Sequence, residues 1–369
     1  HLAALYPQEA WLYDLGGSGT ISKKLLMYDR GTKPDNTAWQ QLLETTPALF
    51  ADAGFALLRQ GDTPANQIMA TLDFGRSAMH QHYDRNQLTL LAHGITYTHG
   101  TGTLYNVGSG GMTRNKDAQL ESFVGSGTLG QNVVLADCRN QQSAVGQLLA
   151  WDPTPARQVV VGQVTGAYPG ITHTRGLVLS AGILLVFDEL LSQESHQFDF
   201  VYHNFGALVL PEGLTATPQS EPLGRTANYE NLKQLRRLAS AVPLRLQWDL
   251  SQEVPPPAAP KAGETAPPAA PPPMLQLWHF APADAQAFVA ETGMNNPNTK
   301  TIPDAAPTLI SRAAGKRVIY LTVLDPWQGA PRVTQVTRIG EDGLQVTLAD
   351  GQTLKASLSE LRQSGIAKP

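Results

Sequence analysis

The stretch Arg76–Tyr105, R-S-A-M-H-Q-H-Y-D-R-N-Q-L-T-L-L-A-H-G-I-T-Y-T-H-G-T-G-T-L-Y, decides how the rest of the chain reads. It sets His80 and His82 two residues apart at the mouth of an expected strand. In extended backbone, residues i and i+2 share a face, so both imidazoles can serve one site. The chain then runs out and back through an apolar hairpin, and the antiparallel return brings His99 to the same end. Three of the nine histidines therefore read as a site. Imidazole is the commonest metal ligand and a general base near neutral pH. Tyr83, Tyr97 and Tyr105 surround the histidines. A phenol can donate a proton or line a sugar subsite, although each tyrosine taken alone reads as packing. Arg76, Arg85 and Arg114 can fork onto a carboxylate or sulfate.

Outward from this stretch the pattern is mostly strands. Upstream, Q-I-M-A-T-L-D-F alternates and puts Ile68, Ala70, Leu72 and Phe74 on one face. Before Phe55, apolar residues at helical spacing and a capping Asn36 predict helices. Downstream, residues 106–130 are rich in Gly, Ser, Asn and Thr and read as a long loop, then Q-N-V-V-L-A-D as a strand. V-V-V-G-Q-V-T, R-G-L-V-L-S, G-I-L-L-V-F-D-E and Q-F-D-F-V-Y-H follow as short strands, with a turn at Ala181-Gly182. Short strands in succession without helices predict a large antiparallel β-sandwich. Residues 255–273 hold nine of the chain's 27 prolines and interrupt two paired strands, L-R-L-Q-W and M-L-Q-L-W-H-F. A final strand set, R-V-T-Q-V-T-R-I and L-Q-V-T-L-A-D-G-Q-T-L, turns at Glu341-Asp342-Gly343. The expected organisation is a helical segment over 1–50, a sandwich over 51–330 with a Pro-rich loop at 255–273, and a small β subdomain over 331–369.

With 369 residues, 42% apolar and 16% charged, the chain can bury a sizeable core. A net charge of −4 gives no broad field for nucleic acid, so a polyanionic ligand needs a locally basic cleft. The single Cys138 excludes an internal disulfide framework. No run reaches the roughly 20 apolar residues that span a bilayer, and no signal peptide is read. Beginning at His1 without Met, the chain reads as processed or trimmed at its start. Gly108, Gly110 and Gly111 lack the G-K-[ST] that a phosphate loop needs, and no G-x-S-x-G elbow occurs. A second polar cluster, Tyr168, His173 and Arg175 in Y-P-G-I-T-H-T-R, stands at a strand entry, and His203 in Y-H-N-F-G ends another strand.

Taken together, these stretches resemble the heparinase II/III-like polysaccharide lyases, which include oligoalginate lyases. The resemblance rests on His80-Gln81-His82-Tyr83-Asp84, on His99-Gly100-Thr101-Gly102-Thr103-Leu104-Tyr105, and on Gln131-Asn132-Val133-Val134-Leu135-Ala136-Asp137 with Gln141 following. It covers about residues 48–330. It implies an α/α toroid, here upstream, followed by the sandwich, with the cleft between them. Residues 1–50 would be the toroid's tail.

The implied reaction is β-elimination at a uronic acid of alginate or a glycosaminoglycan, with an acidic polysaccharide as partner rather than nucleic acid or a membrane. By resemblance His80 is catalytic, and Arg76, Tyr105, Tyr168, His173, Arg175 and His203 line the substrate. The resemblance also implies one divalent metal, usually zinc, on His82, His99 and Gln131. Two of these depart from the family pattern: His99 stands where Asp is usual, and Gln131 stands where His is usual. Glutamine is a poor zinc ligand. A periplasmic or secreted bacterial location follows from the same resemblance. Two alternatives stay open, a carbohydrate-binding or structural sandwich without catalysis and a uronic-acid C5-epimerase.

Overall fold

A computed structural model of the chain describes residues 46–63, 65–75, 83–98, 100, 106–108, 111–113, 127–239, 243–254, 270–293 and 305–365. The helices expected over 1–45, most of the Pro-rich loop, and Arg76, His80, His82, His99, Tyr105 and Arg114 lie outside the described residues.

The protein is mainly β. Five strands, β1 (Ala48–Phe50), β2 (Phe55–Gln60), β3 (Ile68–Asp73), β4 (Gln87–Ala92) and β5 (Ile95–Thr98), form a simple antiparallel meander. The strand pattern therefore begins at Ala48, within the stretch expected to be helical, because Ala48–Phe50 finds a partner in Phe55–Leu57. His93 and Gly94, at φ 53° and 76°, make the tight turn of the β4–β5 hairpin. Ile68, Ala70, Leu72 and Phe74 are all buried, as their alternation predicts.

Next come β6 (Asn106–Gly108), β7 (Gly111–Thr113), β8 (Val134–Ala136), β9 (Gly146–Asp152), β10 (Arg157–Tyr168), β11 (Ile171–Ser180) and β12 (Ile183–His203). β6 and β7 pair inside the segment expected to be a plain loop. The set continues with β13 (Ala207–Val209), β14 (Ala216–Pro218), β15 (Lys233–Leu238), β16 (Leu244–Asp249), β17 (Pro273–Phe280), β18 (Gln286–Gly293) and β19 (Ala305–Gln328). All but β6 and β7 join one large sheet.

The two apolar runs ending in Asp188-Glu189 and in Tyr202-His203 are one 21-residue strand, not two. It pairs with β19 on both sides of a register slip between Leu191 and His196. A bulge of this kind bends a strand while keeping its pairing. One half of the sheet runs β13-β16-β17-β19-β12-β11-β10-β9, and the other runs from β14 through β15, β18, β19 and β12 to β8.

The main core lies between the meander and the large sheet. Leu58, Leu72, Phe74, Leu88 and Leu90 of the meander meet Trp151, Val160, Leu177, Leu184 and Tyr320. Each large apolar side chain withdrawn from water contributes about 1.5–3 kcal/mol. A second core covers the outer face of the first half. There β20 (Val333–Ile339), β21 (Gly343–Leu348), β22 (Thr353–Ser357) and helix α1 (Leu358–Gln363) bury Val159, Val178, Leu185, Phe187 and Leu321. A third cluster covers the other half, where Leu129 and Val133 from the segment before β8 meet Val201, Phe288 and Ile310.

Candidate functional site

Of the residues expected to form a site, His203, Arg175 and His173 gather around Asn132 and Asn86 where the meander meets the end of β12. Asn132 is the centre of this junction and is 1% exposed. Its side-chain amide donates to the Leu88 carbonyl at 3.1 Å and to Thr98 Oγ1 at 2.5 Å. Its Oδ1 accepts from the His203 backbone N–H at 2.7 Å and lies 3.2 Å from His203 Nδ1. Thr98 Oγ1 in turn donates to the His203 carbonyl. One asparagine thus ties β4, β5 and β12 into a single polar knot.

Arg175 holds the same knot from below. Its Nε and Nη2 fork onto Asp188 at 2.6 and 3.0 Å. Its Nη1 donates to the Asn86 carbonyl at 2.7 Å and to the Asn132 carbonyl at 2.5 Å. His173 Nε2 lies 2.7 Å from Asp188 Oδ1, the oxygen that also accepts from Arg175 Nε. Arg175 and Asp188 are opposed in the β11–β12 register, so strand pairing alone aligns them. Burial opposes ionisation of Asp188, but Arg175 and His173 outweigh it and hold the carboxyl below its usual range. Burial also lowers His173, which Asp188 only partly offsets.

The segment following His82 is fixed as well. Gln141 accepts from the Arg85 N–H at 2.7 Å and donates to its carbonyl at 3.1 Å. Thr128 Oγ1 donates to the Tyr83 carbonyl at 2.8 Å. Arg85 pairs with Asp84 at 2.5 Å and with Asp73 at 3.0 Å. Burial, partly offset by Arg85, pushes the Asp84 carboxyl up to about 6. Tyr97 is buried with its hydroxyl 2.7 Å from His93 Nδ1. Tyr83, by contrast, is 37% exposed.

Gln131 is fully buried against the backbone of Gly100, the residue after His99. A Cβ added at Gly100 would stand 1.8 Å from Gln131 Oε1, so only glycine admits this approach. Tyr168 is buried and donates to the Arg139 carbonyl at 3.2 Å. Of the residues expected to line substrate, Tyr168, His173, Arg175 and His203 are therefore all buried, with exposures of 5, 4, 1 and 1%. Arg76 and Tyr105 lie outside the described residues, as do His80, expected to be catalytic, and His82 and His99, expected to hold a metal. Among the described residues no group of three or more His, Cys, Asp or Glu could hold a metal. A groove of about 730 Å³ between Leu49, Arg59, Trp151 and Gln158 is lined by none of these site residues.

Asp188 is the member that sequence reasoning passed over. Its signal was a carboxylate inside the apolar run I-L-L-V-F-D-E, which demands a buried cation. Asn132 and Gln141 sat in quoted motifs without a role, since neither residue titrates.

The fold so defined is heparinase-like, the β-sandwich of a polysaccharide-lyase fold. A heparinase III gene product superposes with a TM-score of 0.59 at 14% identity, over 96% of this chain and 48% of that one. The heparan sulfate lyase HepC from Pedobacter heparinus gives 0.59 at 13% identity, over 95% and 47%. Another heparinase III structure gives 0.57 at 16%, over 89% and 43%. The chain thus spans about half the length of the solved structures it matches. No family model and no curated protein matches it.

Proposed function

We propose that this chain is the sandwich-bearing part of a lyase that cleaves uronic-acid-containing polysaccharides, with glycosaminoglycans or alginate as substrate. The observation that carries the reading is the superposition of nearly the whole chain on about half of a heparinase III chain.

In β-elimination the C5–H and C4–O4 bonds break, a C4–C5 double bond forms, and the proton lost from C5 is balanced by one delivered to O4. The C5 proton is weakly acidic, so the adjacent carboxylate must be neutralised and the developing charge stabilised. In this reading His80 takes part in proton transfer, and Arg76 and Tyr105 face the sugar. Arg175, His173, Tyr168 and His203 act from beneath. Arg175 is already engaged by Asp188, so a sugar carboxylate would have to displace a buried ion pair to reach it. Arg175 holds the segments around Asn86 and Asn132 at fixed separation, and the backbones of His173 and His203 bond the Asn86 and Asn132 side chains.

A divalent metal would take His82, His99 and Gln131. The close seat of Gln131 against the residue after His99 supports that donor set. When bound, such an ion would brace the sandwich side of the cleft. The remaining catalytic groups belong to an α/α toroid preceding the sandwich, and an acidic polysaccharide substrate fits a periplasmic or secreted location.

The test is ultraviolet absorbance of unsaturated uronate, with heparan sulfate, heparin, hyaluronan and alginate offered separately. A rise with any of them establishes elimination. Binding without a rise rejects the lyase in favour of a binding sandwich.

A further inference from the structure

Tyr83, Asp84, Arg85 and Asn86 follow His82 and lie ahead of β4, which begins at Gln87, so they belong to no strand. Asp84, Arg85 and Asn86 are nonetheless buried. Buried backbone N–H and C=O groups need partners, so side chains here must supply what a sheet ladder would. Gln141 does this for Arg85 at both ends: its Oε1 accepts from the Arg85 N–H at 2.7 Å and its Nε2 donates to the Arg85 carbonyl at 3.1 Å. Thr128 does it for Tyr83, whose carbonyl accepts from Thr128 Oγ1 at 2.8 Å.

The two grips are joined to each other. Thr128 Oγ1 accepts from the Gln141 N–H at 2.8 Å while it donates to Tyr83, so one hydroxyl fills both of its roles. Thr128 and Gln141 are themselves buried, and the Thr128 N–H donates to Asn140 Oδ1 at 2.9 Å. Thr128 also opens the short 3-10 turn Thr128–Gly130, and its carbonyl accepts from the Gln131 N–H at 3.0 Å. The residue that holds the carbonyl next to His82 therefore starts the turn that delivers Gln131.

We propose that Thr128 and Gln141 are positioning residues: through the backbone of Tyr83 and Arg85 they fix where His80 and His82 stand, and Thr128 also sets the separation of that segment from Gln131. This rests on the lyase reading above and names what holds its histidines in place. Neither residue carries a charge or titrates, and both act through the main chain. A reacting group displaced by about 1 Å can cost on the order of 10²-fold in rate. An interaction that serves only the transition state is lost from kcat rather than from KM.

The experiment compares Thr128→Val, Thr128→Ser and Gln141→Met in the full-length protein, with Leu344→Ala as a control that weakens the second core instead. Two readouts are taken at a temperature where all four are folded: steady-state release of unsaturated uronate from heparan sulfate, and amide hydrogen exchange over residues 76–88. Thr128→Val and Gln141→Met should lower kcat about tenfold to a hundredfold with KM nearly unchanged, and speed exchange over 76–88 about tenfold. Thr128→Ser keeps the hydroxyl and should recover both, and Leu344→Ala should alter neither. Exchange over 76–88 unaltered in Thr128→Val and Gln141→Met, or a kcat no lower than that of the control, overturns the positioning role. Thr128→Ser as impaired as Thr128→Val overturns it too. A wild type that makes no unsaturated product sinks the lyase reading, and the exchange rates alone then decide whether Thr128 and Gln141 hold the histidine segment.

Discussion

Arg175 and Asp188 meet across neighbouring strands as a two-pronged pair, 2.6 and 3.0 Å, with neither side chain more than 1% exposed. The pair has no water to fall back on. Removing one partner strands the other charge in the core, at a cost of about 3–5 kcal/mol. Arg175→Met and Asp188→Leu alone should each lower stability by that order in urea unfolding. The double variant should recover part of the loss, since no lone charge remains. Additive losses in the double would show that the pair is not the unit.

Gly100→Ala places a methyl group on Gln131 Oε1. Overpacking of this sort costs about 1–3 kcal/mol. Pairing the change with Gln131→Ala should restore most of the melting temperature. Lack of rescue would mean that some other neighbour limits residue 100.

His279 is buried between Phe200 and Tyr320, with ring centroids 4.6 and 5.7 Å away. Burial pushes its pKa from 6.5 down to about 3. Between those values the unfolded chain binds more protons than the folded one. Stability is therefore complete above about pH 6.5 and declines as pH falls toward 3. His279→Phe should flatten the difference in urea midpoint between pH 7 and pH 4. Burial depresses His173 as well, so a residual slope of the same sign should persist. An unaltered slope would remove His279 from the account.

Asp84 works in the opposite sense. Its folded carboxyl is raised to about 6 from 3.8, chiefly by burial. The folded chain then binds more protons through that window, and stability is lost as pH rises across it. Asp84→Asn should compare more favourably with wild type at pH 7 than at pH 4. The reverse ordering in paired unfolding curves would contradict the shift.

Leu344 of β21 is fully buried in the cluster that seals Val178, Leu185 and Phe187. Leu344→Ala should cost about 2–5 kcal/mol, read by chemical denaturation. A loss below 1 kcal/mol would show that the C-terminal sheet covers the large sheet only loosely.

Much of this architecture was legible in the chain. Period-two runs such as Ile68–Phe74 declare which face is buried, and Ala181-Gly182 declares a hairpin, because both signals are local. The pairing of L-R-L-Q-W with M-L-Q-L-W-H-F across the Pro-rich stretch was readable for the same reason. The continuity of β12 was not. Ser192–His196 is polar and largely solvent-facing and looks like a break, yet pairing with β19 resumes beyond it.

By itself the sequence determined that the chain is mainly β, where its strands alternate, and which residue types could serve an acidic sugar. Those properties follow from side-chain volume, charge and spacing along the backbone. Only the tertiary structure decided that Arg175 serves Asp188 and two backbone carbonyls and that Asn132 joins three strands. A buried hydrogen bond joins residues as far apart as Arg175 and Asn86, and the sheet register that brings them together is a property of the folded chain.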